Sequence, residues 1–275
     1  MASDVNRRVL PGFSLSLGYT LFYLGLLVVV PLAAGFLKAS QLSFEAFWAA
    51  VSSDRAVAAY QLTVGASFAS AAVNVLLGVL VAWVLVRYDF PLKRLLDSLV
   101  DLPFALPTAV AGLVYSDLFV AHGWYGQFLV PLGIEGAYSR LGIVLVLVFI
   151  GFPFVVRTLE PVLEGLDVDI EEAAACLGAG RWQTFRRVIA PAIFPAVVTG
   201  FALAFARALG EYGSVVFVSG NMPGKTEIAP VLIVMRLEEF AYTEATAIAV
   251  VLLLISFVTL FLINLLERWS KRHHG

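Results

Sequence analysis

An all-α integral membrane protein with six transmembrane helices is the fold class that this sequence predicts. Three observations lead there. The mean hydropathy is +0.91. Only 14% of the 275 residues are charged, where soluble domains carry roughly a quarter. The charges are also clustered: Val9–Leu37, Ala56–Val86, Leu141–Val156, Val188–Ala206 and Ala245–Leu266 contain no Asp, Glu, Lys or Arg. A helix crossing a bilayer needs about 20 mainly apolar residues. Four of the five runs are long enough, and the shortest lengthens past Arg140 or Arg157 if those side chains snorkel.

The spans follow in order. The first covers 13–37, behind Arg7 and Arg8. Its apolar run is too long for a signal-peptide core of about 7–15 residues, and no small-x-small cleavage site precedes Pro31, so it is read as a retained helix. The second covers 60–86. A third, at 95–120, is apolar apart from Asp97, Asp101 and Asp117 and contains Pro103 and Pro107, which membrane helices tolerate when neighbours satisfy the freed carbonyls. The remainder are 141–160, 190–219 and 245–267. The domain reading is residues 1–58 as N-terminus, first helix and outer loop, 59–267 as the transmembrane core with a polar loop at 161–191, and 268–275 as a basic tail.

Orientation comes from the excess of Lys and Arg on cytoplasmic loops. With the N-terminus inside, Arg7, Arg8, Arg87, Lys93, Arg94, Arg157, Arg181, Arg186, Arg187, Arg268, Lys271 and Arg272 are cytoplasmic, while Lys38, Arg55, Arg140, Lys225 and Arg236 are outside. That places both termini, and the loop between the fourth and fifth spans, in the cytoplasm. Within this loop Asp169 is suited to cap a short helix, with Glu171 and Glu172 in its first turn favouring the helix dipole. Ala173, Ala174, Ala175, Cys176 and Leu177 continue that helix, and Gly178-Ala179-Gly180 breaks it. A second short helix places Trp182, Phe185 and Ile189 on one face, and Pro191 opens the next span. Cys176 reads as a small packed residue.

The spacing Glu172-Ala173-Ala174-x3-Gly178-x12-Pro191 resembles the EAA loop of ABC importer permeases, with Val188 and Ala190 where that pattern has Ile and Leu. The resemblance implies a type I importer permease fold, and a loop that docks on a cytoplasmic ATPase through Glu171, Glu172, Ala173, Ala174, Gly178, Arg181 and Pro191. Further stretches, Arg7–Phe13, Asp101–Gly112, Leu209–Ser214, Gly224–Glu227 and Arg236–Phe240, resemble the T-type (CysT-type) branch for sulfate and thiosulfate. Molybdate permeases share the Leu-Gly-Glu-aromatic-Gly piece, so that segment alone does not choose the anion. The branch implies four kinds of partner: membrane lipid, a second permease subunit of the W type, an ATPase dimer using ATP-Mg, and a periplasmic sulfate- or thiosulfate-binding protein. It also implies a location in the bacterial inner membrane.

The candidate translocation pathway comprises Pro103, Pro107, Thr108, Arg207, Glu211 and Ser214. Arg207 is the cation expected inside a span, where such residues face a bundle interior or an aqueous cavity, and Glu211 lies one turn on, within pairing reach. Two readings stand side by side: a self-neutralised pair stabilising the fifth span, or a local potential for a dianion that Glu211 keeps from being held too tightly. Pro103, Pro107 and Gly112 either expose backbone groups around a pore or bend a helix. Gly210 and Gly213 suit close helix packing. Asp97 and Asp101 either relay protons or pair with Lys93 and Arg94, and Lys225 is a solvated outer-loop lysine or a contact for a delivery protein.

Several classes are disfavoured. Gly220–Thr226 has one residue too few for a phosphate-binding G-x-x-x-x-G-K-[ST] loop, so no nucleotide cofactor is expected on this chain. A lone cysteine and three histidines without a cluster argue against a disulfide or metal. No nucleophile, base and oxyanion set suggests an enzyme, and nothing suggests nucleic-acid binding. A secondary transporter driven by an ion gradient would tend to show internal repeats, and none is obvious. A molybdate or tungstate permease is the nearer alternative.

Overall fold

The computed structural model describes residues 12–274, and for 168 and 266–274 only the backbone. The stretch holding Arg7 and Arg8 lies outside the described residues, as do the side chains of the basic tail. Every regular element among the described residues is helical.

The order is α1 Phe13–Ala39, α2 Phe44–Val51, α3 Asp54–Arg87, α4 Lys93–Val100, α5 Leu102–Ala105, α6 Thr108–Phe119, α7 Gly126–Leu129, α8 Arg140–Glu164, α9 Val168–Cys176, α10 Arg181–Leu209, α11 Val215–Val218, α12 Ala229–Glu238 and α13 Tyr242–His274. Five of these, α1, α3, α8, α10 and α13, are long and apolar enough to cross a membrane. The 95–120 stretch, expected as one span, is broken into α4, α5 and α6. Asp101 and the Leu106-Pro107 pair interrupt it, with Leu106 and Pro107 both extended in ψ (127° and 131°). The residue before a proline avoids the helical region, so the break at Leu106 is a local consequence of Pro107.

Side chains set several helix starts. Ser43, Ser53 and Ser139 each accept a hydrogen bond from a first-turn amide, at 3.2, 3.3 and 3.1 Å, which satisfies one of the otherwise free N–H groups. Prolines do not always end helices. Pro31 and Pro191 each follow a π turn, Gly25–Val29 and Phe185–Ile189. In those turns Val30 N–H donates to Gly25 O and Ala190 N–H to Phe185 O, and the wider turn absorbs the residue that lacks an N–H. Pro191 therefore lies inside one continuous helix and does not open a new one as expected. The fifth span is also shorter at its far end: α10 stops at Leu209, and 210–214 is a turn.

The centre of the molecule is formed by α3, α8 and α10. Val155 of α8 is wedged between Gly78 of α3 and Gly200 of α10; a Cβ on Gly78 would come within 2.6 Å of it, and one on Gly200 within 3.2 Å. Small residues at crossing points let membrane helices approach closely, and Leu159, Leu163, Phe205 and Leu209 complete that core. A second cluster joins α6, α8, α11 and α12 through Ala111, Ile143, Val146, Val215 and Val231. By contrast Phe13–Val29 has no buried residue; α1 meets the body only near Ala39, which packs with Val51, Ala247 and Val250.

Candidate functional site: the coupling loop and the Arg207 turn

The 34 residues of α3 span about 50 Å at 1.5 Å per residue, so Arg55 and Arg87 mark opposite ends of the bundle. At the Arg87 end sit the polar loop and the charges of α4. At the other sit Arg140 and the 219–228 segment: Arg140 Nε donates to Lys225 O at 2.9 Å, and Arg55 grips Glu227 through two bonds of 2.7 Å. Lys225 itself is exposed.

In the polar loop, the N-cap position of α9 is Asp167, whose side chain makes no capping bond, and the expected cap Asp169 lies with Glu171 in the first turn. The helix ends in a Schellman motif: Ala179 N–H donates to Ala174 O at 3.0 Å and Gly178 N–H to Ala175 O at 2.9 Å. Gly178 has φ +84°. That left-handed conformation strains residues with a Cβ, so the glycine of the EAA pattern is explained by its backbone and not by crowding, since nothing lies near the site of a Cβ. Glu171 and Glu172 diverge. Glu171 turns back to Arg87, its Oε1 2.8 Å from Nη2, while Glu172 is exposed. Leu177 and Trp182 are 89% and 72% exposed, and Arg181 is exposed on the neighbouring turn. Cys176, expected to be packed, is exposed.

The Arg207 turn closes on Glu211. This carboxylate, 2% exposed, accepts from Arg207 Nη1 at 2.6 Å and from the N–H and Oγ of Ser214, both at 2.9 Å. A buried carboxylate needs such donors, and with both oxygens engaged Glu211 is an anchor for the turn that follows α10. Arg207 keeps 34% of its side chain open and uses only Nη1 in this pair. Opposite lies α6: Gly112 faces the backbone of Ser214, and Gly213 faces the Thr108 hydroxyl, so closely that a Cβ on either glycine would clash. Gly213 serves close packing as expected, but Gly210 stands in open space. The structure thus joins Thr108, Arg207, Glu211 and Ser214. Pro103 and Pro107 do something different: Pro103 sits in the first turn of α5, and Pro107 sits at the N-cap of α6, where the chain path breaks.

Asp97 and Asp101 take a partner that the sequence reading missed. Both bind Arg157 of α8, through Asp97 Oδ1 at 2.6 Å and both Asp101 oxygens at 2.8 and 2.6 Å, and Glu160 joins at 2.6 Å. Lys93 pairs with Asp89 instead. The signal was an arginine at the end of an otherwise charge-free run. Arg87 and the Arg55–Glu227 pair were missed as well, because partners 84 and 172 residues apart leave no local pattern.

The model of the binding-protein-dependent transport system inner membrane components matches residues 74–272. The chain belongs to this family. The permease is 49% identical to the sulfate transport system permease protein CysT of Salmonella typhimurium, over all of both chains. It is 52% identical to the protein of the same name from Synechococcus elongatus, over 94% of this chain and 92% of that one. Among solved structures it superposes on the bacterial alginate ABC transporter, in complex with its alginate pentasaccharide-bound periplasmic protein, with a TM-score of 0.76 at 19% identity, covering 94% of each chain. On the inward-facing MetNI methionine ABC transporter the TM-score is 0.58 at 16% identity, covering 85% of this chain and all of that one. The fold is that of type I ABC importer permeases, and the permease is a multi-pass inner-membrane component.

Proposed function

We propose that this chain is the T-type permease subunit of an ATP-driven importer that carries sulfate and thiosulfate inward by alternating access. The observation that carries the reading is likeness to sulfate permeases from end to end, not in the loop alone; this also favours sulfate over the molybdate alternative. The topology that fits has six membrane crossings, counting the broken α4–α6 segment as one, with both termini and the polar loop in the cytoplasm.

The loop's own chemistry supports an ATPase partner. Leu177 and Trp182 are large apolar side chains left open beside an exposed Glu172, and clustered exposed apolar side chains mark an interaction surface. An ATPase dimer binding ATP-Mg would take up this face on each of two permease subunits, this one and a W-type partner. Closure of the ATPases would draw the two loops together and open the pathway outward. A periplasmic binding protein would then release its anion there. In the pathway, Arg207 supplies the attraction with its free donors, while Glu211 and Ser214 hold the turn that aims it.

Labelled sulfate uptake tests this directly, in cells that lack their own sulfate permeases and receive this chain with its neighbouring transport genes. The expected result is uptake blocked by thiosulfate, spared by molybdate and lost in Glu172→Ala and Gly178→Asp. Uptake of molybdate alone would move the chain to the other anion. Sulfate uptake indifferent to both loop variants would refute the ATPase-docking role.

A further inference from the structure

The coupling helix α9 scarcely packs on the membrane bundle. None of its described residues is buried, and an open groove of about 670 Å³, lined by Leu80, Trp83 and Tyr88, by Ala175 and Ala179 and by Phe185 of α10, runs between it and α3. Trp83 meets Phe185 of α10 edge-on across that groove, while a contact from α3 to α9 itself is made by Arg87, the last residue of α3. Its Nη2 lies 2.8 Å from Glu171 Oε1 and donates to Leu166 O at 3.1 Å, and its guanidinium sits 5.5 Å from the centre of the Trp83 ring. Arginine suits a helix C-terminus, and a carboxylate suits the first turn of α9, so each charge also favours its own helix. The side chains of Arg87 and Glu171 are only 14% and 26% exposed, which limits screening by salt.

From this arrangement we infer that Arg87 is a positioning residue that transmits movement of the coupling helix to α3 through Glu171 and Leu166. Because α3 packs on α8 and α10 around Val155, a pull on Arg87 reaches the central core and the helix that carries Arg207. The pair is made through Nη2 alone, since Arg87 Nε is buried without a hydrogen-bond partner. The inference rests on the ATPase-docking reading of the loop.

The test uses the whole importer, purified with its ATPase and reconstituted in vesicles with its loaded binding protein. It compares Arg87→Glu, Glu171→Arg and the double swap. Arg87→Glu is expected to retain the ATPase and to hydrolyse ATP, while sulfate transported per ATP falls about tenfold, within the usual range of a coupling between sites; Glu171→Arg, in the loop read as docking the ATPase, is judged by the same ratio without that requirement. The swap should recover most of that ratio. Parent-like ratios in both single variants, or a swap no better than they are, would overturn the inference. So would a loss of uptake and hydrolysis in equal proportion, which marks a merely structural arginine. If Arg87→Glu does not accumulate, Arg87→Gln keeps a donor for Leu166 and decides the matter: an unchanged ratio there also refutes the role. Failure of the docking reading looks different, because the parent chain itself would then purify without an ATPase.

Discussion

Two arginines at opposite ends of one helix are paired in opposite ways. Arg55 grips Glu227 as a fork, with Nε and Nη2 each 2.7 Å from a separate carboxylate oxygen, and Glu227 is 1% exposed. Arg87 reaches Glu171 with one nitrogen, Nη2, at 2.8 Å beside an open groove. Bidentate arginine–carboxylate pairs add geometric specificity to their strength. A pair made through one nitrogen fixes the relative orientation less. One end of α3 therefore holds the 219–228 segment in a fixed shape, and the other, on the inference drawn for Arg87, can follow the coupling helix.

If the fork is the rigid end, breaking it should cost most. Arg55→Ala strands the Glu227 carboxylate and should destabilise the permease by about 3 kcal/mol, the low end of the range for such pairs because Arg55 is 28% exposed. The unfolding midpoint of the detergent-purified complex measures it. Overpacking the core comes next. Gly78→Val collides with Val155 and should cost roughly 1–3 kcal/mol, read by the same assay. At the movable end, Gly178→Val forces a branched side chain into a left-handed turn, at about 1–2 kcal/mol, and should show first as loss of the bound ATPase. Arg207→Gln removes one of three donors to Glu211 and should cost about 1.5 kcal/mol, the low end for a bond to a charged group, leaving assembly intact while cutting sulfate uptake. Smallest of all, Lys93→Ala loses a pair whose Asp89 is fully exposed and should leave the midpoint unchanged. A large effect there, or none at Arg55, would erase the contrast between the ends.

The long spans were legible because hydropathy is a local property: five of them appear where the charge-free runs lie. Gly178 was legible too, since a helix break after Glu171–Leu177 is written in neighbouring residues. The Arg207–Glu211 pair was readable from i,i+4 spacing alone. Less could be read where a local rule had a tertiary answer. Pro191 looked like a helix start, yet a π turn ahead of it lets the helix run on. Asp97 and Asp101 had basic neighbours three to eight residues away, yet Arg157 of α8 binds both.

Composition, charge spacing and the EAA pattern were thus enough to specify a helical membrane protein and its kind. Which charges meet was settled by folding: Arg87 with Glu171, Arg55 with Glu227 and Arg157 with two aspartates. The reason is physical. Helix formation and membrane insertion depend on residues within a turn or a span of each other. An ion pair depends on where two helices end after their small residues, Gly78, Gly200 and Gly112, have let them close.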